Sequence, residues 1–155
     1  MRILTVCLGN ICRSPLAQGI LEKVITEHGL NWTVDSAGTS GWHKGELPDS
    51  RSIEIADKHG IDITDQRSRQ FLQIDFERFD HILVMDKANL REVLRQAPHD
   101  IARKKVTLLL DHDEDSHVDE VPDPYYDDSF QRAYDLIYAA CNAFVAKYSK
   151  KTQEH

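Results

Sequence analysis

Apolar positions along this chain follow two rhythms. Apolar-rich runs at Arg2-Ile3-Leu4-Thr5-Val6, 32–36, Asp80 to Met85 and Lys105 to Leu110 alternate with stretches in which apolar residues recur every three or four positions. The runs predict strands at 2–6, 32–36, 80–85 and 105–110. The periodic stretches predict helices at 15–28, about 50–59, 87–96 and about 129–148. Leu16, Ile20, Val24 and Ile25 mark the buried face of the first helix, and Gly29 and Gly60 stop the first two. Apolar runs joined by helices imply a parallel sheet covered on both faces, with right-handed crossovers. The expected fold is α/β: a three-layer, four-stranded parallel sheet flanked by helices. Residues 1–155 are expected to form one domain, with the polar stretch 149–155 as a frayed tail.

Composition narrows the class. A chain of 155 residues with 41% hydrophobic content can bury one real core and has no room for a second. It shows no long apolar run, signal-peptide pattern or lipidation motif, which predicts a soluble, cytoplasmic protein with no membrane partner. A net charge of −7 argues against nucleic acid as a ligand. Three cysteines, an odd number, point to thiol chemistry rather than a disulfide framework. There is no internal repeat or low-complexity tract.

The chemistry concentrates where the first strand runs into the first helix, at Cys7-Leu8-Gly9-Asn10-Ile11-Cys12-Arg13-Ser14-Pro15. A helix start has free N–H groups and the positive end of the macrodipole, so the amides from Leu8 to Ser14 can hold a dianion there without lysines. Pro15 suits the first helical position. Gly9 allows the turn, and Asn10 tolerates left-handed dihedrals or bonds the loop from inside. Arg13 offers a planar fork for two phosphate oxygens. The same field favours ionisation of Cys7, which is expected to be a thiolate at neutral pH. Ser14 either donates its hydroxyl to that thiolate or caps the helix. Open parallel sheets bind ligands beyond the carboxyl ends of their strands, and Cys7 stands at such an end.

A Cys-x5-Arg spacing alone is weak; followed by Ser, with a strand before and a helix after, it is strong. Val6 to Pro15 resembles the signature loop of the low-molecular-weight protein tyrosine phosphatases. Val121-Pro122-Asp123-Pro124-Tyr125-Tyr126 is similar to that family's acid loop. Asp35-Ser36-Ala37-Gly38-Thr39 and Met85-Asp86-Lys87-Ala88-Asn89-Leu90 are further matches, so the resemblance spans nearly the whole chain.

The resemblance implies a phosphatase-I-like fold and hydrolysis of phosphotyrosine proteins or small aryl phosphates, as in an acid phosphatase. Inorganic phosphate would be both product and inhibitor. Cys7 would attack phosphorus, Arg13 and the loop amides would hold the equatorial oxygens, and Asp123 would protonate the leaving phenolate. Asp123 would then activate water against the cysteinyl-phosphate. No cofactor and no metal is implied. Two prolines stiffen the backbone around Asp123; without the signature loop, Asp-Pro would read as a turn.

Trp42, Tyr125 and Tyr126 are expected on the cleft rim as walls for a phenyl ring. Their alternative place is the core, more readily for Tyr126 than for Tyr125. Cys12 is expected to form a reversible disulfide with Cys7, or simply to pack beneath the loop. Ser36 is expected to support the loop through Asn10. Relatives often carry histidine where Gln66 precedes Arg67-Ser68-Arg69-Gln70, and Gln66 can keep a hydrogen bond there but not a titratable one. Cys141, on a stripe with Ile137, Phe144 and Val145, is expected in the core.

Nine carboxylates lie between Asp111 and Asp128, and among them His112 and His117 match no zinc spacing. That stretch is read as a solvated loop favouring basic residues beside the phosphotyrosine. Two other functions remain open. One is an arsenate reductase of the same fold, for which Cys141 would have to relay a disulfide. The other is a non-hydrolytic phosphate-binding or phosphocarrier module, against which Arg13 and Asp123 argue together. A monomer or weak homodimer is expected.

Overall fold

The computed structural model describes residues 1–125 and 129–153, with side chains described up to residue 150. Four parallel strands, β1 (Arg2–Cys7), β2 (Thr33–Gly38), β3 (His81–Val84) and β4 (Val106–Leu108), lie in the order β2-β1-β3-β4. Six α-helices flank them: α1 (Arg13–Glu27), α2 (Ser50–Lys58), α3 (Asp75–Arg78), α4 (Lys87–Arg95), α5 (Asp100–Lys104) and α6 (Phe130–Gln153). The chain steps from β1 out to β2 and then back across to β3. Strand order therefore reverses beside β1, and the crevice this opens lies at the end carrying Cys7.

Alternation along β1 sends side chains to two different cores. Ile3 and Cys7 join Leu16, Ile20, Val24, Ile137, Phe144 and Val145 from α1 and α6. Leu4 and Val6 join Phe71, Phe76, Val93 and Ala102 on the opposite face. Thr5, on the α1 face, is fully buried, and its hydroxyl donates to the Ser14 carbonyl at 2.8 Å. A polar residue in the strand thus ties the sheet to the first turn of α1. Cys141 is fully buried in the first core, as its stripe implied.

Several boundaries differ from the sequence reading. Helix α1 starts at Arg13 rather than Pro15, and its N-cap is Cys12, without a side-chain cap bond, so Ser14 is not the cap. The loop has already curled into helical geometry before the proline. The fourth run breaks after Leu108 into a 3-10 turn, Leu109–His112, since Leu109 and Leu110 are both needed inside the core. Helices α3 and α5 are too short, at four and five residues, to show a period. The last helix runs on to Gln153. Ser149 is buried within it and donates to the Ala146 carbonyl. No described helix is long and apolar enough to cross a membrane.

His112 corrects the reading of its stretch as a solvated loop. It is buried, with Nε2 2.8 Å from the Thr107 hydroxyl and its ring edge-on to Phe144. Its Nδ1 is buried with no hydrogen-bond partner among the described residues. Burial, helped by the charges of Lys147 and His81, pushes its pKa down to about 4. The unfolded chain takes up this proton first as pH falls, so the stability tied to neutral His112 is complete above about 6.5 and lost towards pH 4. The loss amounts to about 3 kcal/mol at most. Thermal unfolding between pH 7 and 4 should show a falling midpoint, with a shallower slope in His112→Leu; an unchanged slope would assign the acid lability to other groups.

Candidate active site

Residues 7–13 wrap around a small hollow at the mouth of α1, and the surrounding scaffold holds their carbonyls one by one. The Cys7 carbonyl accepts from Thr39 N at 2.9 Å and that of Leu8 from Ser40 N at 2.9 Å. The Gly9 carbonyl accepts from the Ser68 hydroxyl at 3.1 Å, that of Ile11 from Asp49 N at 2.7 Å, and that of Cys12 from the Ser52 hydroxyl at 3.2 Å. In a trans peptide the N–H points opposite to the C=O, so turning these carbonyls outward turns the next amides inward. The N–H groups from Gly9 to Cys12 indeed donate to no protein acceptor among the described residues. They are free to receive an anion.

Asn10 makes the curl possible. Its φ is +56°, the left-handed region that the sequence reading allowed it. Its buried amide is fully used: Oδ1 accepts from Arg69 N at 2.9 Å, while Nδ2 donates to the Ser14 and Ser36 hydroxyls at 2.8 and 2.9 Å. Ser36 is thereby hydrogen-bonded to the loop through Asn10. Because Asn10 occupies a lone pair of Ser14 Oγ, the Ser14 proton is left to point at Cys7 Sγ, 3.1 Å away, or at the Ala37 carbonyl, 3.4 Å away. Gly38, at the end of β2, makes room for this packing; a Cβ there would meet the Leu8 carbonyl at 2.8 Å.

The Arg13 side chain is 2% exposed. Its Nη1 donates to Asp86 Oδ2 at 2.7 Å and to the Val121 carbonyl at 3.0 Å, and Nη2 lies 3.5 Å from Asp123 Oδ2. Burial alone would lower its pKa, but the charges of Cys7, Asp86 and Asp123 prevail and raise it. Asp86 serves twice, since its other oxygen caps α4 by accepting from Asn89 N at 2.7 Å. Asp123 Oδ1 accepts from Tyr125 N at 3.1 Å, which leaves Oδ2 facing the guanidinium and the hollow. Cys7, Cys12, Arg13 and Asp123 thus line one cleft with Trp42, His43 and Tyr125.

Trp42 is 77% exposed and Tyr125 43%, so neither takes the alternative place in the core. Tyr126 lies outside the described residues. Cys12 is buried beneath the loop, and burial, with the negative charges of Asp49, Cys7 and Asp123, pushes its pKa up to about 12. Gln66 keeps a hydrogen bond, donating to the Pro15 carbonyl at 3.0 Å and so holding the first turn of α1. Cys141 is remote from the cleft, and burial alone raises its thiol pKa.

The sequence reading assigned no role to Asp86, Gly38, Asp49, Ser52, Ser68 or Arg69. Asp86 could have been found, because it follows β3 at the same edge where Cys7 ends β1. The others act through backbone groups or through contacts far apart in sequence. Arg69 pairs with the fully buried Asp75 through two bonds of 3.0 and 3.1 Å and with Asp35 at 3.1 Å, which fixes the segment that meets Asn10.

Comparison with known proteins bears on what this cleft does. Residues 2–154 match the sequence model of the low molecular weight phosphotyrosine protein phosphatases. The phosphatase of that name from Sus scrofa is 39% identical over 150 residues, covering 94% of each chain. Among solved structures, YfkJ from Bacillus subtilis superposes with a TM-score of 0.94 at 37% identity, covering 97% of this chain and 96% of that one. Vibrio vulnificus Wzb, solved in complex with benzylphosphonate, gives 0.83 at 34% identity over 94% of this chain and 97% of that one. With its loop, fold and full length in agreement, the chain belongs to the low molecular weight phosphotyrosine protein phosphatase family.

Proposed function

We propose that this chain hydrolyses phosphotyrosine and aryl phosphates in two displacements at Cys7. The observation that carries the reading is the convergence of four things on one hollow: the Cys7 sulfur, the free loop amides, the Arg13 fork and the Asp123 carboxyl. Cys7 Sγ attacks phosphorus, the S–P bond forms as the bond to the phenolic oxygen breaks, and Asp123 gives its proton to that oxygen. The amides and Arg13 hold the charge on the equatorial oxygens throughout. Asp123, now ionised, takes a proton from water, whose oxygen attacks phosphorus. The S–P bond breaks, phosphate is released and the thiolate returns, supported by the Ser14 hydroxyl at 3.1 Å.

Trp42 and Tyr125 supply aromatic walls suited to a phenyl ring, in keeping with the benzylphosphonate held by the Vibrio relative. The arsenate reductase reading lacks a relay, since Cys141 is fully buried in the core. A phosphocarrier would have no use for Asp123. We also propose that Cys12 protects the nucleophile: peroxide oxidises the Cys7 thiolate to sulfenic acid, the Cys12 thiol displaces water from it, and a disulfide forms.

Four experiments test this assignment. Cys7→Ser should abolish turnover of p-nitrophenyl phosphate. Asp123→Ala should cut turnover by at least about a hundredfold while inhibition by inorganic phosphate persists; a fully active Cys7→Ser protein would refute the nucleophile. Asp86→Asn keeps one oxygen for the α4 cap but turns an N–H towards the buried Arg13, so kcat/KM should fall about tenfold and Tm should drop as the guanidinium loses its charged partner. If kcat/KM is untouched, Asp86 does not hold the fork. After mild peroxide, peptide mapping should find Cys7 linked to Cys12, and free thiols at both positions would remove the redox role.

A further inference from the structure

The turn carrying Asp123 is tied at both ends, and both ties lead back to the phosphate loop. Upstream, Val121 N donates to the Met85 carbonyl at 2.9 Å, and the Val121 carbonyl accepts from Arg13 itself. Downstream, Arg51 Nη2 donates to the Tyr125 carbonyl at 3.4 Å. The Arg51 guanidinium carbon also lies 5.6 Å from the Tyr125 ring centroid and 4.7 Å from that of Phe130, the first residue of α6. Both distances are within cation–π range.

Arg51 is itself anchored. Its Nε and Nη2 reach the two oxygens of Asp49 at 3.1 and 3.2 Å, a side-on pairing that fixes the plane of the guanidinium. The backbone N–H of Asp49 in turn donates to the Ile11 carbonyl of the phosphate loop at 2.7 Å. A short path therefore runs from the loop that binds phosphorus, through Asp49 and Arg51, to the peptide two residues beyond the acid.

We infer that Arg51 is a positioning residue for the general acid, holding the Asp123–Tyr125 turn at a set distance from the phosphate loop. The inference rests on the phosphatase reading and adds to it. Arg51 touches no reacting atom; it acts through Tyr125. Losing it leaves the Asp49–Ile11 bond intact and hence the loop that grips phosphate. What it changes is how well Asp123 meets the leaving oxygen, so the effect should depend on how much that oxygen needs a proton.

The test compares kcat/KM for phenyl phosphate, whose leaving group needs protonation, with that for 2,4-dinitrophenyl phosphate, whose leaving group departs as an anion. Arg51→Ala should lose about tenfold on phenyl phosphate and little on the dinitrophenyl ester, with inorganic phosphate inhibition within about twofold of wild type. Arg51→Lys keeps a cation over the rings without the planar fork and should recover part of the loss; it also serves if the alanine variant folds poorly. In an Asp123→Asn background, Arg51→Ala should cost nothing further. Equal losses on both esters, or weakened phosphate inhibition, would show a merely structural role and overturn the inference. If Asp123→Asn itself shows no dependence on the leaving group, it is the acid assignment that fails; if it does and Arg51→Ala does not, only the positioning role falls.

Discussion

The site depends on carbonyls being pulled outward. A seven-residue loop beside a helix mouth has no intrinsic reason to aim its amides at one point. It does so here because Thr39, Ser40, Ser68, Asp49 and Ser52 each claim a carbonyl from outside. The anion hollow is the inner surface of a backbone whose outer carbonyls are hydrogen-bonded to the scaffold at five positions. That arrangement needs no reorganisation when substrate arrives, which is where oriented dipoles gain over water. Asn10 is its keystone, since it alone takes a left-handed φ among the non-glycine residues described and spends its whole amide on the scaffold.

Charge is handled by the same principle. A guanidinium that is almost wholly buried would be unstable alone. Asp86, the Val121 carbonyl and Asp123 compensate for it, the first from the loop after β3 and the other two from the loop before α6. Arg13, proposed to hold phosphate, is thus also the bolt that joins the loops around it. Asp86 shows how closely the parts are shared: one carboxylate starts a helix and steadies the arginine.

The sheet, the main helices and the chemistry of the loop were legible because each left a local mark: a strand-like run, a helical period, a Cys-x5-Arg-Ser string between them. Gly29 ends α1 with φ +66°, as a stop signal should. Asn10 bonds Ser36, and Trp42 and Asp123 line the same cleft as the loop. The reading failed where the deciding contact is remote. His112 sits in a string of acids yet packs on Phe144, thirty-two positions on. The break after Leu108 reflects the demand of a core for Leu109 and Leu110, which no run of apolar letters reveals. Arg69 and Asp75 look like surface residues until the fold buries the acid.

Helix α1 packs along α6, far downstream in the sequence, and Cys7 stands at the mouth of α1. During synthesis the cysteine leaves the ribosome well before the surface that buries its helix. Until then the sulfur belongs to a chain without a closed core. A nascent polypeptide of this design passes through a period in which its thiol is open to solvent and oxidant, and only the arrival of α6 closes the core around it.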